Sequence, residues 1–359
     1  MRSFIPNWVK KIPLTAYKEV PSDFVRLDLA INKHPPSPRV TEVLRTNISR
    51  INEYPETNWS ILVEEISKYC GVNSDEILLT NGLEEAIDII TRLLVKQQEE
   101  VFILTPTYSQ FHIAALRVRA NVRKEKCLEL EDYIIPTRKV ERILNEQKIK
   151  LFWICNPNNP TGTLFEKEVL LPLIEKANCI VVIDECFYEY AKKSLSDLLD
   201  CYEKLLILRS FSKSFALAGI RIGYIVGSSR LIENLLKMRQ PSSVNFLAQH
   251  AALAALQDLD YYEKKWKNDS EERDKLKRKL EDLNFKVFPS STNFLLIKAK
   301  NAEELYIDLW KNKISVLHGE DPEFIGLGEE YIRVTVGLPE ENAILIETLQ
   351  DIINRYKKG

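Results

Sequence analysis

The residues best suited to chemistry lie in one stretch of the sequence. Ser210, Ser212 and Lys213 follow the apolar run Leu206–Leu208, and Arg221 lies eight residues beyond the lysine. We expect a buried strand to deliver the serines and the lysine to its carboxyl end, with the arginine beside them. Two hydroxyls and a guanidinium suit a phosphate, and a lysine shielded from water beside another cation can attack a carbonyl as a free amine. A single lysine is more often a solvated loop residue, so the hypothesis depends on its companions.

Further candidates follow apolar runs at the points where predicted strands end. Gly82 opens a helix after one run, Tyr108 follows a second, Asn159 lies in the string Asn-Pro-Asn-Asn-Pro-Thr-Gly after a third, and Asp184 closes a fourth. A glycine before a helix lets backbone N–H groups approach an anion, and an aromatic ring can stack on a flat ring. Each also has an ordinary interpretation: Gly82 fits simple helix capping, Tyr108 fits the core, and both Asp184 and the string that contains Asn159 fit turns.

The alternation of strands and helices from about residue 75 to residue 230 predicts an α/β fold. We expect a mostly parallel sheet flanked by helices, with the site at the carboxyl ends of its strands. A chain of 359 residues exceeds one average domain, so two lobes are expected. We predict an N-terminal arm at residues 1–30, a large domain at 31–235 and a smaller α+β domain at 236–359, with a long charged helix (Tyr261 to Leu283) connecting the lobes.

Composition excludes several classes of function. A formal net charge of −2 gives no reason to expect a nucleic acid or an anionic membrane as partner. The six cysteines show no Cys-x-x-Cys pair and no clustered histidine, which argues against a metal site and for free thiols in a reducing compartment. No signal peptide or membrane-length apolar run is visible, so we expect a soluble cytoplasmic protein.

Together these motifs resemble the fold-type I aminotransferases of class I and II, which use pyridoxal 5'-phosphate, and in particular the histidinol-phosphate aminotransferase group. The resemblance covers nearly the whole chain and implies a seven-stranded large-domain sheet and a homodimer with shared active sites. By this resemblance Lys213 joins the cofactor covalently and moves a proton between the substrate Cα and the cofactor. Asp184 pairs with the pyridine nitrogen, which keeps the ring an electron acceptor.

The resemblance also assigns cofactor contacts. The phosphate is held by the backbone of Gly82 and Leu83, by Ser210 and Ser212, and by Arg221. Tyr108 stacks on the ring and Asn159 donates to its phenolic oxygen. Tyr54, in a Tyr-Pro-Glu sequence, is expected to reach the partner subunit's cofactor phosphate, although a surface turn would also explain it.

Substrate contacts follow from the same resemblance. Arg333, in the sequence Arg-Val-Thr-Val-Gly, is expected to grip the amino acid carboxylate together with Asn159, although a charged residue in a strand is often edge decoration. Asn32 lies in a Pro-rich loop that resembles the family's substrate-covering loop, with His34 where a second asparagine is usual. A plain connector is the alternative interpretation of this loop.

The sequence departs from the aminotransferase pattern at two positions. Phe187 replaces a tyrosine that bonds the ring oxygen, with Tyr188 next to it, and this feature and the 240–245 stretch are shared with threonine-phosphate decarboxylase-like relatives. Leu317, sixteen residues before Arg333, replaces an arginine of the relatives that bind phosphorylated substrates. Recognition of a phosphorylated substrate is therefore open, with His318 as a weaker substitute.

The sequence thus favours an aminotransferase that moves an amino group between an amino acid and a 2-oxo acid. A decarboxylase with the same cofactor is the first alternative. A non-catalytic, cofactor-binding regulator is the second, and both the complete catalytic set and the absence of a helix-turn-helix domain argue against it. A nucleotide-dependent dehydrogenase is disfavoured because no Gly-x-Gly-x-x-Gly follows any strand.

Overall fold

The computed structural model describes residues 4–14, 18–146 and 148–357. The strands are β1 (Val25–Arg26), β2 (Ile77–Thr80), β3 (Glu100–Thr105), β4 (Thr107–Tyr108), β5 (Asn121–Lys126), β6 (Ile149–Cys155), β7 (Ile180–Asp184), β8 (Leu205–Ser210), β9 (Gly223–Gly227), β10 (Lys286–Val287), β11 (Phe294–Lys298), β12 (Ile314–Ser315), β13 (Leu317–His318), β14 (Phe324–Ile325) and β15 (Tyr331–Thr335). The helices are α1 (Pro38–Asn47), α2 (Ser60–Cys70), α3 (Gly82–Leu94), α4 (Gln110–Arg117), α5 (Thr137–Leu144), α6 (Lys167–Lys176), α7 (Tyr188–Ala191), α8 (Ser229–Met238), α9 (Phe246–Leu256), α10 (Leu259–Asp282), α11 (Ala302–Lys311) and α12 (Pro339–Tyr356).

A seven-stranded sheet forms the centre of the large lobe, in the order β2-β9-β8-β7-β6-β3-β5. The strands β5, β3, β6, β7 and β8 run parallel, and β9 is antiparallel to both β8 and β2. The central strands are short runs of β-branched and aliphatic residues, as expected for strands covered on both faces by helices. The predicted α/β fold with a mostly parallel sheet is confirmed.

The register of this sheet brings the candidate residues to one edge. Cys155 at the end of β6 pairs with Asp184 at the end of β7, and Asp184 pairs with Leu208 of β8. Ser210, the last residue of β8, pairs with Gly223 at the start of β9. Because parallel strands place their carboxyl ends on the same side, the loops after β6, β7 and β8 meet above that edge.

The small lobe is built on an antiparallel four-stranded sheet in the order β10-β11-β15-β13. Its core packs residues of α10, α11 and α12 against that sheet. The predicted arm contributes β1, which runs parallel to β12, and Leu27, which is fully buried in this core. Residues 1–3 and 15–17 of the arm lie outside the described residues.

The predicted boundary at residue 235 remains a prediction. In the structure α9 packs on α1 and α2, which places residues 246–256 with the large lobe. The long charged helix expected between the lobes is α10, and it contributes Trp266 to the large-lobe core and Leu276 to the small-lobe core. We therefore propose that the chain changes lobe within α10.

The sequence predicted neither a membrane span nor a metal site, and the structure bears on both points for the residues that it describes. Among the helices described, none combines the length and apolar character of a membrane span. Within the same residues, no group of three or more His, Cys, Asp or Glu side chains is arranged to hold a metal ion.

Candidate active site

A cavity of about 400 Å³ lies at the carboxyl edge of the large sheet. Predicted residues in its wall are Leu83, Tyr108, Asn159, Asp184, Ser210, Ser212, Lys213 and Arg221. The wall also includes Phe187, which the sequence marked as a departure from the family pattern, and residues that the sequence did not assign to the site, namely Leu29, Ile31, Glu84, Cys155, Cys186, Ala218 and Glu323. A volume in this range suits a small cofactor with part of a substrate.

Lys213 reaches this cavity from the turn that follows β8. Its Nζ donates to the backbone oxygen of Leu29 at 2.7 Å. Burial lowers the pKa of the Lys213 amine, because the charged form loses hydration, and nearby Arg333 lowers it further while the carboxylate of Glu323 opposes the change. The environment therefore favours the uncharged amine, which is the nucleophilic form.

Asp184 lies in the cavity wall at the end of β7 and is 3% exposed. Its Oδ1 accepts one hydrogen bond, from the backbone N–H of Cys186 at 2.9 Å. Burial raises the pKa of this carboxyl to about 7, and the charges of Glu84 and Glu185 add to the rise. A buried carboxylate is stabilised by a cationic or N–H partner, and a protonated pyridine nitrogen supplies one.

Gly82 and Arg221 form a cradle for an anion with the two serines. Arg221 Nη1 lies 3.5 Å from Ser212 Oγ, and Ser210 Oγ accepts from the backbone N–H of Ser212 at 3.0 Å. Gly82 has a φ of +71°, and a Cβ there would lie 2.5 Å from Arg221 Nη2. The missing side chain thus leaves room for the guanidinium beside the N-terminus of α3, where backbone N–H groups favour negative charge.

Glu84 supplies the negative charge that Arg221 meets in this structure. Its Oε2 accepts from Arg221 Nη2 at 2.5 Å, and its Oε1 accepts from the Tyr108 hydroxyl at 3.3 Å. The Glu84 carboxylate therefore lies between the Arg221 guanidinium and the Tyr108 hydroxyl. The donor set fits a phosphate group, which carries more oxygens than a carboxylate.

Arg333 contacts Asn159 of the cavity wall from behind. Arg333 is fully buried in β15, between β11 and β13, so it is not an edge residue. Its Nη1 donates to Asn159 Oδ1 at 2.6 Å and to Glu323 Oε1 at 2.8 Å, while its Nη2 donates to the backbone oxygen of Asp28 at 2.5 Å. The predicted substrate residues are therefore neighbours, and Glu323 lies between Arg333 and the cavity space.

Three other predicted residues do not line the cavity. Asn32 donates to the backbone oxygen of Ser214 at 3.0 Å and accepts from the backbone N–H of His34 at 2.9 Å, so its side chain fastens the loop above Lys213. His34 lies 3.0 Å from Asp269 of α10. Tyr54 is 90% exposed on the surface of the large lobe.

The departures from the family pattern have clear structural positions. Phe187 is buried in the cavity wall with its ring edge-on to Phe294 at 5.3 Å, and it offers no hydroxyl. Tyr188 does not replace it, because its ring lies under the Arg209 guanidinium at 3.6 Å. Leu317 pairs directly with Arg333 and is buried in the core.

His318 does not replace the missing arginine either. Its Nε2 lies 2.9 Å from the backbone oxygen of Glu329, and its ring packs near Tyr306. In this structure the histidine is therefore held outside the cavity wall.

Sequence reasoning missed a buried network beneath Lys213. Ser214 Oγ donates to Glu189 Oε2 at 2.8 Å, and the Tyr69 hydroxyl donates to Glu189 Oε1 at 3.2 Å. Burial raises the pKa of Glu189 to about 7. The available signal was the position of Glu189 five residues after Asp184, together with a hydroxyl adjacent to the lysine. For Glu323 the sequence contained no comparable signal, since it lies in a loop far along the chain.

Comparison with known proteins supports the resemblance to class I and II aminotransferases. The family model for class I and II aminotransferases matches residues 22–349. The histidinol-phosphate aminotransferase of Methanocaldococcus jannaschii is 32% identical over 362 residues, covering 99% of this chain and 96% of the relative.

Two solved structures share the fold. The histidinol-phosphate aminotransferase of Clostridium acetobutylicum has a TM-score of 0.85 and 26% identity, covering 92% of this chain and 99% of that one. The enzyme of Sinorhizobium meliloti, solved in complex with pyridoxal-5'-phosphate, has a TM-score of 0.83 at 20% identity and covers 91% of each chain.

Proposed function

The chain belongs to the class I and II aminotransferase family, and from that premise we propose that it is a pyridoxal 5'-phosphate enzyme of the histidinol-phosphate aminotransferase type. It moves an amino group between an amine donor such as histidinol phosphate and a 2-oxo acid. The observation that carries the proposal is the position of the Lys213 amine, which shares one cavity with Asp184 and with the Arg221 cradle.

The residues present fit the cofactor. When bound, pyridoxal phosphate accepts the electrons released as the substrate Cα loses its proton. Ser210, Ser212, Arg221 and the N-terminus of α3 hold its phosphate. Asp184 supplies the negative charge opposite the ring nitrogen. Tyr108 covers one side of the ring.

Lys213 then acts as the base and acid of the reaction. Its amine, whose pKa is lowered by burial, accepts a proton from the substrate Cα and returns it at the neighbouring carbon. The backbone oxygen of Leu29 orients Nζ, and the apolar side chains of Leu29, Ile31 and Phe187 restrict water around the reacting atoms. Arg333 and Asn159 bind the carboxylate of the 2-oxo acid or amino acid substrate.

We further infer that the enzyme is a homodimer whose sites are shared. Large apolar side chains on and near α1 and α2 are more than half exposed, namely Ile48, Ile51 and Ile61, and Tyr54 projects beside them. Such a patch marks an interaction surface, and a second copy of the chain is the partner that would use Tyr54. The free cysteines also support the cytoplasm, a reducing compartment, as its location.

One observation favours a second candidate function. Phe187 offers the cofactor ring no hydroxyl, a feature of threonine-phosphate decarboxylase-like enzymes. We therefore propose two assays of the holoenzyme: one with L-histidinol phosphate and 2-oxoglutarate, which measures glutamate, and one with L-threonine phosphate, whose carboxylate can leave, which measures carbon dioxide. Glutamate formation supports the aminotransferase, whereas carbon dioxide release without glutamate contradicts it.

Lys213→Ala provides the direct test of mechanism. Because the amine carries both the covalent link and the proton, turnover is expected to fall by at least about 10²-fold. After borohydride reduction and denaturation, the cofactor should stay attached to the wild type but not to the variant. Lys213→Ala with wild-type turnover would refute the assigned role, and Lys192→Ala, an exposed lysine, is the control.

A further inference from the structure

The carboxylate of Glu323 occupies the predicted carboxylate clamp of this enzyme. Its Oε1 accepts from Arg333 Nη1 at 2.8 Å and from Asn159 Nδ2 at 3.1 Å. The side chain of Arg333 is 0% exposed and that of Glu323 is 12% exposed, so the pair is largely withdrawn from water. An acid of the chain itself therefore holds the donors that a substrate carboxylate would use.

The main chain at Glu323 is held by the large lobe. Residues 319–328, here called the strap, leave the small-lobe sheet and pair as β14 with β4 beside Tyr108. The backbone N–H of Ser109 donates to the backbone oxygen of Glu323 at 2.9 Å, and its hydroxyl donates to the backbone oxygen of Pro322 at 2.7 Å. The backbone of Glu323 is therefore fixed on the large lobe, while its carboxylate is bound to Arg333 of the small lobe. The Glu323 side chain thus connects the two lobes at the cavity wall.

The charge balance at the clamp is already satisfied. Arg333 is one cation, its Nη2 is used by the backbone oxygen of Asp28, and its Nη1 is shared by Asn159 and Glu323. A second carboxylate arriving at Nη1 would meet the negative charge of Glu323 at hydrogen-bond distance. Two carboxylates sharing one cation at low solvent exposure repel each other, so one of them must leave or take up a proton, and either outcome costs binding free energy.

We propose that Glu323 is a specificity-determining residue that opposes carboxylate ligands, which must displace its side chain from Arg333 or share the clamp with its protonated form. The proposal rests on the proposed function in taking Arg333 as the clamp. An amine without an α-carboxylate, such as an amino alcohol, does not require this displacement. Glu323 thus weakens the binding of α-amino acids and 2-oxo acids relative to the binding of amino alcohols.

The test compares ligand affinity in three holoenzymes: wild type, Glu323→Gln and Glu320→Gln. Glutarate, an unreactive dicarboxylate, and L-histidinol, an amino alcohol without an anionic group, are titrated by calorimetry with the cofactor spectrum recorded. Glu323→Gln keeps the shape and removes the charge, so glutarate should bind roughly tenfold tighter or more while L-histidinol is unchanged. Glu320 is exposed on the same strap, and its variant controls for a general change of charge.

A double variant locates the effect. Adding Glu323→Gln to Arg333→Ala should give no further tightening of glutarate, because the two side chains act through one contact. Unchanged or weaker glutarate binding in Glu323→Gln would overturn the proposal, as would equal tightening in Glu320→Gln. If the wild type binds glutarate but transfers no amino group, the proposed function fails, whereas the affinity comparison still decides the role of Glu323.

Discussion

At the scale of residues, the chemistry of the cavity depends on opposite pKa changes of two side chains, Asp184 and Lys213. Burial raises the pKa of Asp184 and lowers that of Lys213, so both side chains are driven towards their uncharged forms. A cofactor with a basic ring nitrogen and an aldehyde uses both groups, since it gives the carboxylate a cationic partner and the amine an electrophile. Burying these two side chains costs the protein hydration free energy, and the bound cofactor offsets part of that cost.

Asp184→Asn is expected to change the stability of the cofactor-free protein in a pH-dependent way. The folded-state pKa of Asp184 is about 7, above its ordinary value of 3.8, so folding favours the protonated form. Its contribution to stability is complete below about pH 4 and is lost as the pH rises to about 7. The variant, which stays neutral, should gain unfolding free energy over the wild type across that window, by a few kcal/mol (~1.4 per pKa unit).

Denaturant unfolding of both cofactor-free proteins at pH 5 and pH 8 measures the difference. Asp200→Asn, at an exposed position, should show no comparable pH dependence. An Asp184→Asn advantage that is equal at both pH values would contradict the assigned burial effect. In the holoenzyme the same variant should lose most of its turnover.

At the scale of elements, the site depends on where strands end and where one helix begins. The loops after β6 and β8 carry Asn159 and Lys213 to the edge where β7 ends in Asp184, because these strands are parallel and in register. Helix α3 adds its N-terminus at the same edge, and Gly82 makes that approach possible through its positive φ. The phosphate cradle is therefore a property of how α3 meets the sheet.

Gly82→Ala is expected to weaken cofactor binding by about tenfold or more. An alanine at a φ of +71° is strained, and its Cβ would lie 2.5 Å from Arg221 Nη2, so the arginine must move. Spectroscopic titration of the cofactor-free protein with pyridoxal phosphate measures the dissociation constant. Gly219→Ala, where a Cβ meets no atom within 4 Å in the described residues, is the matched control. Equal affinity in both variants would show that the glycine is dispensable.

At the scale of the whole molecule, the cavity is closed by segments from both lobes. The chain around Leu29 comes from the arm that packs on the small lobe, and the strap with Glu323 crosses from the small-lobe sheet to β4. The large lobe supplies the groups proposed to hold the cofactor. A relative movement of the lobes would therefore change access to Arg333 more than it would change the phosphate cradle.

A subunit-mixing experiment tests the proposed shared site. Tyr54→Ala and Lys213→Ala homodimers should each be strongly impaired. A mixed dimer has one site that receives Lys213 from one subunit and Tyr54 from the other, so random reassembly should restore roughly a quarter of wild-type activity. Activity that stays at the level of the separate variants, with mixed dimers demonstrated, would contradict a shared site.

Patterns of neighbouring residues in the sequence predicted the fold class and many of the residues around the cavity. The alternation of apolar strands and helices predicted the α/β fold, and strand-end motifs together with the family resemblance predicted eight residues that line the cavity. These predictions succeeded because strand ends and Pro-rich turns are encoded by neighbouring residues, and parallel strands then bring their ends together. The residues missed, Glu323 and the backbone oxygen of Leu29, reach the site through contacts between distant segments.

The sequence by itself determined the fold class and identified the lysine and the motifs that we propose as nucleophile and anion site, because these depend on short stretches of chain. Only the tertiary structure decided that Leu317 lies opposite Arg333, that Asn32 fastens a loop instead of lining the cavity, and that Glu323 holds the clamp. Those outcomes depend on strand register, loop path and lobe packing, which are fixed by long-range contacts that no local pattern specifies.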